Sequence, residues 1–238
     1  MMRTLNEWKR ARWTWVLVLS LVVIHSGLTI GLVREKTQVY QTFGLSRHGL
    51  GQGHWHSFLS YGFIHASWYH LLCNALMLLV MGAKLEGWLG AKRMCVMGLI
   101  GILGGGLFHL ACGGRSTDLL VGASGLVMAQ LLVFCTLSPE SRMMPLPVSA
   151  RNLGMGVIAS SCILMLINPA AAVPGFSQIG ILLSQQGLGD WFTIGHACHF
   201  GGAISGYLYA RWLLRVPLTR EKLLEKRLKK YPVSSSEQ

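Results

Sequence analysis

Four positions in this chain carry polar, chemically useful side chains where a hydrocarbon would be expected: Ser124, His199, His70 and Asn74. Serine is a weak nucleophile until a neighbouring base takes its proton, and neutral imidazole is the usual partner near pH 7. His199 can be that base if its helix touches the helix of Ser124. Attack on an amide develops an oxyanion, which needs donors already in place. The backbone N–H of Ser124, an imidazole N–H of His70 and the side-chain amide of Asn74 could converge on it. No carboxylate is placed to act as a third member, so the arrangement predicted is a Ser-His dyad.

Ser124 lies in Leu120-Val-Gly-Ala-Ser-Gly-Leu-Val-Met-Ala129, just after the polar turn Gly113-Gly-Arg-Ser-Thr-Asp118. Counted from the polar turn ending at Asp118, Ser124 would lie roughly 9 Å below the mouth of a helix, in its first turns, where backbone amides lack intrahelical acceptors. The small residues Gly122, Ala123 and Gly125 also fit a plainer role, because small residues let membrane helices approach closely. His70 and Asn74 are four apart and share one helical face. Gly202 and Gly206, three and seven residues after His199, lie on its face and with Gly125 and Ala129 would let the two backbones meet.

The elements that must position these groups are apolar. Hydrophobic residues make up 52% of the 238, charged residues only 13%, which points to a polytopic membrane protein rather than a soluble globule. The net charge of +12 comes without a basic stripe interleaved with aromatics, so nucleic acid is not the expected partner. The six cysteines lie in apolar stretches without a C-x-x-C pair, which argues against a disulfide framework or a zinc knuckle. Apolar runs predict six transmembrane helices, at 13–33, 67–85, 94–112, 119–137, 153–167 with its flanks, and 191–214. Residues 34–66 suit a membrane interface, and 168–190 a loop. This gives an all-α bundle over 13–214, a cytoplasmic segment over 1–12 and a basic cytoplasmic tail over 215–238. Lysine and arginine support the count: four in 1–12, three in 84–93, two in 142–151 and eight in 211–230 fall on one side, against Arg34, Lys36, Arg47 and Arg115 on the other. The positive-inside rule then puts both termini in the cytoplasm of a multi-pass cell-membrane protein.

With these motifs in order the chain resembles the rhomboid family of intramembrane serine proteases. The matching residues are His70-Leu-Leu-Cys-Asn74, Gly82-Ala-Lys-Leu-Glu86 with Gly90, Gly122-Ala-Ser-Gly125, and His199-Phe-Gly-Gly202 with Gly206. The resemblance implies a six-helix core with Ser124 as nucleophile, His199 as general base, and His70 and Asn74 as oxyanion donors. It also implies that 34–66 is the family's interfacial loop and that the loop before the last helix is a gate. Implied substrates are transmembrane proteins entering from the lipid bilayer, with no cofactor and no metal; oligomeric state is left open. Three features depart from the family pattern: Trp55-His56 replaces the usual Trp-Arg, Cys198 precedes the histidine where alanine is common, and the interval from Ser124 to His199 is long. Two other functions remain open from the residues alone. One is a noncatalytic binder of transmembrane clients; the other is a metal site built from His65, His70, His196 and His199, though it lacks the usual carboxylate.

Overall fold

The structure, a computed structural model, describes residues 11–30, 35–143 and 147–215. Most of the segment expected at 1–12 and nearly all of the tail expected at 215–238 fall outside the described residues. In chain order the α-helices are α1 (Arg12–Thr29), α2 (Lys36–Phe43), α3 (Arg47–Gly51), α4 (Ser57–Ser60), α5 (Trp68–Leu89), α6 (Ala91–Cys112), α7 (Ser124–Leu137), α8 (Ala150–Leu166), α9 (Phe176–Leu183) and α10 (His196–Arg215). A two-residue hairpin, β1 (Arg142–Met143) with β2 (Val148–Ser149), joins α7 to α8.

Helices α1, α5 and α6 are long and apolar enough to cross a membrane; α7 and α8 are apolar but shorter. Apolar side chains that would be costly in water, such as Val16, Leu19 and Val23 of α1 and Leu72 and Leu76 of α5, face outward. That pattern fits a lipid surround, where outward hydrocarbon costs nothing.

α5 starts where the sequence suggests: the Ser67 hydroxyl caps it by accepting from the His70 N–H at 3.2 Å. Its end differs from the expected residue 85. The helix continues to Leu89 and is stopped by Gly90, whose φ of +77° suits glycine. Glu86 does not end it because its charge is satisfied by α1. Its carboxylate accepts from the Trp13 and Thr14 amides at 3.1 and 2.9 Å and from the Thr14 hydroxyl at 2.8 Å. An anion thereby sits on the exposed amides of the α1 N-terminus.

The centre of the bundle is α10 packed between α6 and α7. A Cβ at Gly202 would collide with the Gly125 carbonyl, one at Gly206 with the Ala129 backbone, and one at Gly201 with the Gly104 carbonyl. The helices therefore meet backbone to backbone, which gains dispersion contact where lipid provides no hydrophobic drive for association.

Two helix starts differ from expectation. α7 begins at Ser124 rather than Leu119, because residues 119–123 are drawn into non-helical structure. Leu120 forms an antiparallel bridge with Leu45 (N···O 2.8 and 3.0 Å), and Gly122 takes a φ of +112° that ends any helical path. α10 begins at His196 rather than Trp191, because 189–193 coils into a 3₁₀ turn before an extended Ile194. The expected loop 168–190 carries short structure of its own, including α9, which at eight residues is too short to cross.

Candidate active site

Ser124 owes its place to the segment before it. The Gly122 amide donates to the Tyr61 carbonyl at 2.9 Å, and the Ala123 amide donates to His65 Nε2 at 3.4 Å. Together with the Leu45–Leu120 bridge, these bonds tie the approach to Ser124 to the interfacial segment. His65 is fully buried, its own carbonyl accepts from the Tyr40 hydroxyl at 2.8 Å, and its ring lies 6.4 Å from that of His25 in α1. As the first residue of α7, Ser124 presents a backbone N–H with no intrahelical acceptor.

His70 and Asn74 project from α5 toward that same turn. A Cβ built on Gly122 would lie 2.7 Å from His70 Nε2, so only glycine lets the imidazole approach the Ser124 turn this closely; Asn74 Nδ2, at 3.6 Å from that Cβ position, lies at ordinary contact distance. Asn74 is buried, and its Nδ2 has no hydrogen-bond partner among the described residues. A buried amide donor left unbonded is costly, by about 1–3 kcal/mol, unless something else is meant to accept from it.

His199 is carried by the first turn of α10, its backbone N–H bonded to the Gly195 carbonyl at 3.0 Å. The glycine seam fixes how close α10 comes to α7, with Gly202 against Gly125 and Gly206 against Ala129. Between them, Cys198 is fully buried. Its thiol is 3.9 Å from the Tyr61 hydroxyl, which itself donates to the Ile102 carbonyl at 2.6 Å.

Ser124, His199, His70 and Asn74 all line one cavity of about 770 Å³. Its outer wall comes from the segment before α10, through Asn168, Ala170, Phe192 and Ile194; Met77, Met128 and Met165 add apolar surface. His196 also lines it, with its ring edge-on to His199 at 6.0 Å and its Nε2 2.8 Å from the Trp191 carbonyl. The cavity can thus hold a polypeptide segment between a hydroxyl, an imidazole and a cluster of donors. Among the described residues no group of three or more His, Cys, Asp or Glu is placed to hold a metal ion, which leaves the four-histidine metal alternative without a ligand set.

Sequence reasoning missed several groups. Asp118 lines the cavity, though its carboxylate is already occupied by the Arg115 amide at 3.0 Å. Tyr61 and His65 hold the Ser124 approach, and only long-range pairing across some sixty residues reveals it. His56, standing where the motif expects arginine, meets the Thr42 carbonyl with its Nε2 at 3.0 Å, while Arg47 donates to the Leu110 carbonyl in the last turn of α6 and to the Gly114 carbonyl just beyond it.

Compared with known families, residues 52–216 match the model of the rhomboid domain, well over half of the chain, from within the interfacial segment to the end of α10. No curated protein matches it.

Proposed function

Because the chain belongs to the rhomboid family of intramembrane proteases, we propose that it is itself an active serine endopeptidase, cutting peptide bonds in or near the transmembrane segments of membrane-protein substrates. The observation that carries this reading is the buried, unbonded amide of Asn74 beside the Gly122–Ser124 turn, in a cavity shared with His199. Such a donor is what a developing oxyanion requires.

In this reading Ser124 Oγ attacks the scissile carbonyl carbon while His199 takes the hydroxyl proton. The negative oxygen is received by the Ser124 N–H, His70 and Asn74. Collapse of the tetrahedral adduct breaks the C–N bond, and the imidazolium returns its proton to the leaving amine. Water then repeats the sequence on the acyl-enzyme, again with His199 as base. A stable substrate helix hides its carbonyls, so substrates with small or helix-breaking residues near the cut are favoured.

The membrane arrangement proposed with it has α1, α5, α6, α7, α8 and α10 as six crossings and both termini in the cytoplasm. The support is the distribution of basic residues, seventeen of the 21 of which fall on one side under that count.

The test is labelling of purified protein by a serine-reactive fluorophosphonate, alongside cleavage of a single-span reporter. Wild type should label and cleave, whereas Ser124→Ala and His199→Ala should do neither while keeping the wild-type thermal midpoint. If Ser124→Ala cleaves as wild type does, the assignment is wrong. Absence of cleavage by wild type, with equal reporter capture by Ser124→Ala, would instead identify a noncatalytic binder of transmembrane clients.

A further inference from the structure

A second cavity, of about 430 Å³, lies away from Ser124 between α1 and α6. Trp13, Val16 and Ser20 form one wall, Cys95, Gly98 and Ile102 the other, and Leu59 and Phe63 of the interfacial segment also line it. Its orientation follows from the chain. Glu86, near the end of α5, holds the first residues of α1, and α6 starts immediately after α5 at Ala91, so α1 and α6 begin at the same end of the molecule. Lining residues run over 13–20 on one helix and 94–102 on the other, about two turns each, making a slot roughly 10–12 Å long that follows both helices. Both helices are long and apolar enough to cross a membrane, so the slot faces acyl chains.

The end at which the helices start is basic. Arg12 directly precedes the α1 wall, and Lys92 and Arg93 directly precede the α6 wall; all three are exposed. Among the described residues none of them forms an ion pair, and Glu86 at this end is engaged by the α1 amides. Trp13, half-exposed, adds the amphipathic ring typical of headgroup level.

We propose that this slot is a binding site for an anionic phospholipid of the bilayer, one acyl chain lying along α1 and α6 and the phosphate seated among Arg12, Lys92 and Arg93. A tail gains little by leaving other tails for an apolar slot, so selectivity comes from the shape of the slot and, more strongly, from headgroup charge. Each basic residue near the phosphate contributes about fivefold in affinity. The site does not depend on the protease reading, since it uses neither Ser124 nor the cavity around it.

Native mass spectrometry of the delipidated full chain, titrated separately with dioleoyl phosphatidylglycerol and dioleoyl phosphatidylcholine, tests this. Wild type should bind the first phosphatidylglycerol more tightly than the first phosphatidylcholine. A triple Arg12→Gln, Lys92→Gln, Arg93→Gln variant should lose that preference, at about fivefold per residue. Cys95→Trp, which places a ring in the slot, should weaken the first phosphatidylglycerol with the thermal midpoint unchanged. Equal affinity of wild type for the two lipids overturns the proposal, as does a folded Cys95→Trp variant that binds like wild type. Should that variant not fold, the charge variant, confined to exposed positions, decides alone.

Discussion

Two regions border the same cavity and are held in opposite ways. The seam of α10 against α6 and α7 is backbone on backbone: at Gly201, Gly202 and Gly206 an added Cβ would strike a neighbouring main chain. The segment from 168 to 195 is fastened mainly to itself. Asn168 accepts from the Ala170 amide at 2.9 Å, Ser177 bridges the Val173 amide and the Asn168 carbonyl at 2.9 and 3.0 Å, and Thr193 reaches back to the Asp190 carbonyl. Its Phe176, Ile179, Leu182 and Trp191 are exposed, and Gly175 and Gly187 have open space around them. Mostly local hydrogen bonds are the mark of segments that open more readily than a packed core. The contrast separates two tasks. Under the proposed function, a hydroxyl and an imidazole must hold their spacing to within fractions of an ångström, whereas a wall through which a polypeptide would enter must be able to yield.

The largest effect should come from breaking the seam. Gly202→Val pushes a branched side chain into the Gly125 backbone, which cannot rotate away, and overpacking of this kind costs about 1–3 kcal/mol or more. The expected outcome is a lowered thermal midpoint together with lost fluorophosphonate labelling. Leu182→Ala, at an exposed position of α9 in the other region, should change neither. Equal effects of the two substitutions would dissolve the comparison.

Next comes a substitution on the rigid side that spares the fold. Asn74→Ala removes the unbonded donor and should lower kcat by about 10²–10³-fold, with KM and thermal midpoint close to wild type. A purely structural Asn74 would show the reverse, a stability loss without a selective loss of kcat.

A pH profile sharpens the same side. The proposed base works only as neutral imidazole, so kcat/KM should be full above the His199 pKa and fall tenfold per unit below it. A kcat/KM profile with no acid limb anywhere in the range over which the protein stays folded would remove His199 as the base.

Much of the rigid region is legible in the sequence. Glycines spaced at three and seven after His199, and small residues after Ser124, carry helical periodicity, which is local information, and in the structure Gly202 does face Gly125 and Gly206 does face Ala129. The four candidate side chains, each near the end of an apolar run, line one cavity. The start of α7 is not legible. Residues 119–123 are apolar and continuous with the helix in composition, and only their pairing with Leu45, Tyr61 and His65 removes them from it. The yielding wall is also illegible beyond its being a loop, since its short helix and turns follow from glycine placement and local side-chain bonds that show no period.

The smallest measurable effect expected is at the junction of the two regions. His196 stands where the two regions join, in the first turn of α10, and its Nε2 meets the Trp191 carbonyl at 2.8 Å. His196→Ala loses that bond, which is worth about 1 kcal/mol, and so frees the end of the segment from the rigid helix. Because the residue holds the wall rather than the chemistry, substrate entry should change while the chemical step does not. KM should shift by a few-fold, with kcat and the fluorophosphonate labelling rate within about twofold of wild type. A collapse of kcat like that of His199→Ala would mean that the two histidines act as one unit, and that the boundary between rigid and yielding regions lies before residue 191 rather than at 196.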